Sequence, residues 1–145
     1  DFVLKNQTKF DIIILFDIIE HLDLDYLFKF IEILTNILSN TGKIIVHVPN
    51  GEGIFCNRIL FGDLTHERAF TRSSLTQLFM FFNYNEISFV EDKPLVYGLK
   101  SLIRRIIYDL FTFPFRLFSL AEIGSTGVIL SQNFCAVISK GKKHA

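Results

Sequence analysis

Glu20 and His21 stand side by side just beyond a continuous apolar run that ends at Phe16. A carboxylate beside an imidazole can take a proton from a hydroxyl group, because an imidazole titrates close to neutral pH. A second reading, in which Asp17, Glu20 and His21 hold a divalent cation, rests on the family resemblance given below. A third reading is structural, with His21 bonded to backbone and Glu20 orienting it. Sequence leaves all three open: Glu20 and His21 are the candidate catalytic pair, and no residue is assigned to a metal. Asn50, His66 and Arg68 follow strand ends or sit in loops, so they are the candidates to face a substrate. His47 lies within an apolar run and reads as a satisfied core histidine. Cys56 and Cys135 form no CxxC pair or metal-ligand spacing and are expected as buried, reduced thiols.

The elements that must position these residues follow from periodicity. FDIIILF, at Phe10–Phe16, is a β-branched apolar run that predicts a strand buried on both faces, as in parallel sheets. Leu24, Leu27, Phe28, Ile31, Leu34 and Leu38 then recur at helical spacing, with Asp23 as N-cap and Gly42 as the left-handed stop. Residues 43–48 predict a second strand, closed by Pro49, and the strand–helix–strand order implies a parallel crossover. A helix from Ser73 or Ser74 to about Phe82 and a strand over 85–91 come next. Residues 98–120 form a long amphipathic segment. Leu99, Leu102, Ile103, Ile106, Ile107 and Leu110 lie on one side, expected to pack on the sheet or a partner subunit, and Pro114 is expected to kink or end it. The glycines at 124 and 127 mark a turn before a last strand over 128–139.

The chain has 145 residues, half of them apolar, which suits one domain. Its formal charge is zero, so no large positive field gathers phosphates, and nucleic acid is not an expected partner. No secretory signal or uncharged membrane span is recognisable, and the expected location is cytoplasmic. The sequence begins at Asp1 rather than methionine and reads as a piece of something longer.

Residues 10–22, FDIIILFDIIEHL, resemble the segment of class I S-adenosylmethionine-dependent methyltransferases in which a buried strand ends in an acidic residue followed by Glu-His-Leu. Pro49-Asn50 closing a strand, the loop Asp63 to Thr71 with its His66-Glu67-Arg68-Ala69-Phe70-Thr71 pattern, and a final strand with a lysine-rich tail follow in that family's order. This resembles bacterial members of the type 11/12 and ubiquinone-pathway kind, where Asp17, Glu20 and His21 match an acid-x-x-Glu-His motif that can hold a metal. The resemblance implies a Rossmann-like α/β sheet represented by its later strands only: 1–145 would be the C-terminal part of one methyltransferase domain, with a helical insert at 98–123.

It also implies S-adenosylmethionine as cofactor and a small-molecule or glycolipid-type methyl acceptor. Asp1 and Phe2 would meet the adenine, and Phe16 and Asp17 at the strand end would line the cofactor pocket. Open α/β sheets bind ligands beyond the carboxyl ends of their strands, which is where Asp17 would lie. Two departures stand out. No glycine-rich GxGxG turn or ribose-binding acid is present, so the chain alone is expected to be a poor cofactor binder, and Phe82-Asn83-Tyr84 stands where the family usually has a glycine. The alternative is a non-enzymatic scaffold of degenerate methyltransferase fold. Its helix at 98–120 would contact a partner or membrane, with Lys100, Arg104 and Arg105 meeting headgroups at a peripheral site.

Overall fold

A computed structural model describes residues 9–141 of the chain. The order of elements is β1 (Phe10–Phe16), a 3₁₀ turn (Ile19–His21), α1 (Leu24–Ile37), β2 (Leu38–Pro49), α2 (Cys56–Leu60), α3 (Arg72–Phe81), β3 (Glu86–Glu91), α4 (Leu99–Ile123) and β4 (Asn133–Ser139). The four strands lie in the order β1-β2-β4-β3. β1 and β2 are parallel, as the crossover through α1 requires, while β4 runs antiparallel to both its neighbours. The architecture is therefore α/β with a mixed sheet.

Alternation along each strand sends Leu15, Ile44, Val46, Val48, Phe134, Ala136 and Ile138 to one face. There they form a core with Leu27, Ile31 and Leu34 of α1 and Leu75, Leu78 and Phe79 of α3. Asp23 caps α1 by accepting the Tyr26 N–H at 2.7 Å. Thr71 and Ser74 cap α3 reciprocally, each hydroxyl accepting the other's backbone N–H. The helix boundary at Ser73 or Ser74 thus shifts to Arg72, with Thr71 as the cap.

Four expectations need correction. β1 is buried on one face only, since Phe10, Ile12, Ile14 and Phe16 are all exposed along the other and β1 is the edge strand among the described residues. Gly42 does not stop α1 in a left-handed turn. The helix passes directly into β2 at Leu38, and Gly42 lies inside that strand, where an added Cβ would come within 2.8 Å of the Leu38 side chain and 3.0 Å of the Phe10 carbonyl oxygen. The last strand starts at Asn133, because residues 128–132 are held by side-chain bonds rather than a ladder. Cys56 and Cys135 are free but only half-buried.

α4 departs furthest from its expected packing. It runs unbroken through Pro114 for 25 residues, and it is turned inside out. Ser101, Thr112 and Ser119 are buried at 4 %, 4 % and 8 % exposure, whereas Leu110, Phe111 and Phe118 are 66–69 % exposed. The inward stripe carries Arg105, Tyr108 and Arg116 as well, one or two helical turns apart. Its hub is Glu91 at the end of β3: the carboxylate accepts two bonds from Arg116 at 2.7 and 2.9 Å, one from the Tyr108 hydroxyl at 2.8 Å and one from the Leu130 N–H at 2.8 Å. Burial pushes Glu91 toward the neutral acid, but these donors outweigh it and hold the group below the ordinary glutamate range. Arg116 also donates to the Val128 carbonyl at 2.7 Å, and the Ser119 hydroxyl donates to that of Ser125. Polar bonding on one side thus fixes the helix while its apolar side faces out. Hydropathy spacing located the stripe but could not tell which side docks.

Candidate functional site

β1 and β2 end side by side, and the 3₁₀ turn follows β1 at once. The loop 63–70 is stitched over this end. Glu67 and Arg68 donate their backbone N–H groups to the Glu20 carbonyl at 2.9 and 3.3 Å, and the Phe70 N–H donates to that of Pro49 at 3.0 Å. Ile19, fully buried beneath, anchors the turn. In this way residues 45 positions apart in sequence meet: one donor atom from each of Glu20, His21 and His66 lies within 4.8 Å of the others.

The second nitrogen of each imidazole is already committed. His66 Nδ1 lies 3.1 Å from the Ile59 carbonyl oxygen, and His21 Nδ1 lies 3.2 Å from the Thr65 carbonyl oxygen and 2.9 Å from its hydroxyl. A carbonyl can only accept, so each Nδ1 carries a proton, and in the neutral ring the lone pair is on Nε2. The rings sit 4.7 Å apart at a tilt of 51°. Thr65 is itself held by Asp63, whose carboxylate accepts both its N–H and its hydroxyl, and these bonds hold the Asp63 carboxyl below the usual aspartate range.

Glu20 is the unusual member. It is fully buried, and neither carboxylate oxygen has a hydrogen-bond partner. Burial raises its pKa and the Asp17 charge adds to the rise, while its own backbone N–H, His21 and His66 pull against it without cancelling it. A buried carboxylate without donors is costly, so such a group normally waits for a proton or a cation. The donor set of one carboxylate and two imidazole lone pairs fits a divalent transition-metal ion.

The remaining candidates divide. Asp17 sits at the strand end in the left-handed region, φ 51°, and its carboxylate meets His47 Nδ1 at 2.6 Å. It does not cap a helix. His47 is buried, as expected of a core histidine, and stacks on Phe16 at 4.2 Å, so Phe16, Asp17 and His47 form one unit. Nothing in the sequence spacing linked His47 to Asp17; the pairing arises from the parallel register that sets Phe16 beside His47. Asn50, expected to face a substrate, is buried. Its amide donates to the carbonyls of Ile129 and Ser131, and its carbonyl accepts from the Glu52 N–H, which leaves no group for an acceptor. Arg68 has a buried Nη1 without a partner and lines a cleft of about 310 Å³ with Leu24, Phe28 and Phe81. Asp1 and Phe2 lie outside the described residues.

The sequence matches no protein-family model and no curated protein. In three dimensions it is similar to a SAM-dependent methyltransferase from Archaeoglobus fulgidus, with a TM-score of 0.61 at 14 % identity. That match covers 94 % of this chain and 62 % of the other, so the chain spans less than two thirds of that protein. It is also similar to the small RNA methyltransferase HEN1, with a TM-score of 0.53 at 18 % identity over 95 % of this chain and 14 % of that one. The fold of this chain is that of S-adenosylmethionine-dependent methyltransferases.

Proposed function

We propose that the chain is the acceptor-facing half of a class I S-adenosylmethionine-dependent methyltransferase, of the type 11/12 or ubiquinone-pathway kind. In this reading it transfers a methyl group to a hydroxyl or carbon nucleophile on a small molecule or glycolipid-type acceptor. The observation that carries the reading is the buried, unpartnered Glu20 carboxylate clustered with two imidazoles at the strand end. The structural alternative has His21 bonded to backbone and Glu20 orienting it; His21 does meet the Thr65 carbonyl, but no Glu20 oxygen bonds to the ring. In an in-line displacement the acceptor oxygen forms its bond to the methyl carbon as the carbon–sulfur bond breaks, and its electron pair stays on sulfur. The acceptor's proton must leave, and in this reading the His21 imidazole takes it, with the Glu20 carboxylate nearby.

Phe16 and Asp17 would line the cofactor pocket, with Asp17 steadied by His47. His66 and Arg68 would face the acceptor. The glycine-rich half is proposed to supply most of the cofactor contacts and to cover the bare face and edge of β1. The zero net charge favours a small acceptor over a nucleic acid, unlike the substrate in the HEN1 name.

A second reading of the same cluster is favoured by its donor set: Glu20, His21 and His66 would hold a divalent cation, which when bound would acidify a coordinated hydroxyl. The test is methyl transfer by the longer polypeptide that carries the glycine-rich half, with calorimetry of S-adenosylmethionine on both lengths. Equal binding by the two lengths would refute the half-site reading, and unchanged turnover in His21→Ala would remove the cluster from the chemistry. A cobalt(II) absorption titration on the chain itself separates base from metal, since a visible band that His66→Ala abolishes belongs to the cation.

A further inference from the structure

The outward side of α4 has no counterpart in the methyl-transfer reading. At about 100° per residue, Ile103, Ile106, Leu110, Phe113, Leu117 and Phe118 fan out over roughly 140° of the helix opposite its docking stripe. All six are exposed. The preceding segment extends the same surface, with Leu95, Val96 and Tyr97 exposed as well. A monomer rarely leaves so large an apolar patch uncovered.

We infer that α4 lies in the plane of an anionic membrane surface, with its polar stripe held by the protein and its apolar side in the lipid interface. Two observations choose this occupant. First, the apolar surface is much wider than the narrow seam that one partner helix covers, so a helix pair would leave its flanks wet while a lipid interface covers all of it. Second, Lys100 and Arg104 stand exposed on one border of that surface, and neither is ion-paired among the described residues. Arg105 differs: it is bound to Asp109 at 2.8 Å on the docking side, so it is not a headgroup contact as sequence suggested. No described helix is long and apolar enough to cross a membrane. A 25-residue helix with cations at one border and aliphatic and phenylalanine side chains across the rest has the pattern of one that lies in the interface.

The inference is independent of the chemistry proposed above. It is tested by flotation of the whole chain with vesicles of phosphatidylcholine alone or mixed with phosphatidylglycerol, since bound protein rises and aggregate sinks. Wild type floats with the mixed vesicles and much less with phosphatidylcholine. Lys100→Gln with Arg104→Gln weakens binding about thirtyfold, from the loss of two surface cations, and Leu110→Glu with Phe113→Glu abolishes it. The chain has no tryptophan, so Phe118→Trp is a sole reporter whose emission shifts to the blue and is quenched by brominated lipid. That variant decides the matter even if the glutamate pair fails to fold. No flotation with either vesicle overturns the inference, as does an unquenched Trp at position 118. So does a wild-type dimer that Leu110→Glu splits without any vesicle binding, which would make a second copy the occupant.

Discussion

Two glutamates at the two edge strands of this small sheet, one buried and one half-buried, are treated in opposite ways. Glu91 is met by four hydrogen bonds from Arg116, Tyr108 and Leu130, and it holds α4 in place. Glu20 is more deeply buried and receives none from any other described residue. Their acidities diverge accordingly, Glu91 falling below the usual glutamate range and Glu20 rising above it. A fold that can satisfy a carboxylate so fully at β3 has left one unsatisfied at β1. The difference marks Glu91 as an anchor and Glu20 as a group kept ready for something that binds.

The largest expected effect breaks the Glu20 side of that contrast. In the longer polypeptide, Glu20→Gln and His21→Ala each lower kcat by about 10²–10⁴-fold, the usual range for a lost proton acceptor, while Glu91→Gln leaves kcat within about threefold in the same assay. Next comes the anchor. Glu91→Ala strands Arg116 in a partly buried site and costs about 3 kcal/mol in urea unfolding, with α4 losing hydrogen-exchange protection first.

Smaller, but opposite in sign, is the pH dependence. Glu20 has a raised folded pKa, so its contribution to stability is full below the ordinary glutamate range and is lost as pH rises through that folded value. Glu91 has a lowered one, so its contribution is present above that range and is lost as pH falls through the folded value. Thermal melts across pH should therefore show Glu20→Gln gaining on wild type toward alkaline pH and Glu91→Gln gaining on it toward acid. Parallel curves would erase the distinction. The smallest effect tests the margin of the anchor: Arg105→Gln removes an exposed i,i+4 pair with Asp109 and costs only about 0.3–0.5 kcal/mol.

The legibility of these features tracks how local their causes are. The strand at Phe10–Phe16, the Asp23 cap and the helix of Leu27, Ile31 and Leu34 rest on neighbours within a turn or two, and they were readable. So was Glu20-His21, because the pair is contiguous. His66 was named, but as a substrate contact. Its approach to Glu20 depends on the loop bonds from Glu67 and Arg68, which no spacing encodes. The glycine absent from 82–84 is explained by Asn83, which takes the left-handed turn at φ 63° and is the side chain best suited to it after glycine. Hidden entirely was the orientation of α4. Periodicity finds an apolar stripe without saying whether protein covers it, and here the polar stripe docks because Glu91 accepts three bonds from it in one place.

The bridge at His47 carries a consequence for both glutamates. Its ring meets Asp17 at 2.6 Å on one nitrogen and Asp92, the residue after Glu91, at 3.7 Å on the other. An imidazole is rigid, and Asp17 is already in a backbone conformation with little slack. The ring therefore ties the end of β3 to the end of β1, and it reaches Asp17 three residues before Glu20. The two glutamates thus stand at strand ends that share one histidine clasp.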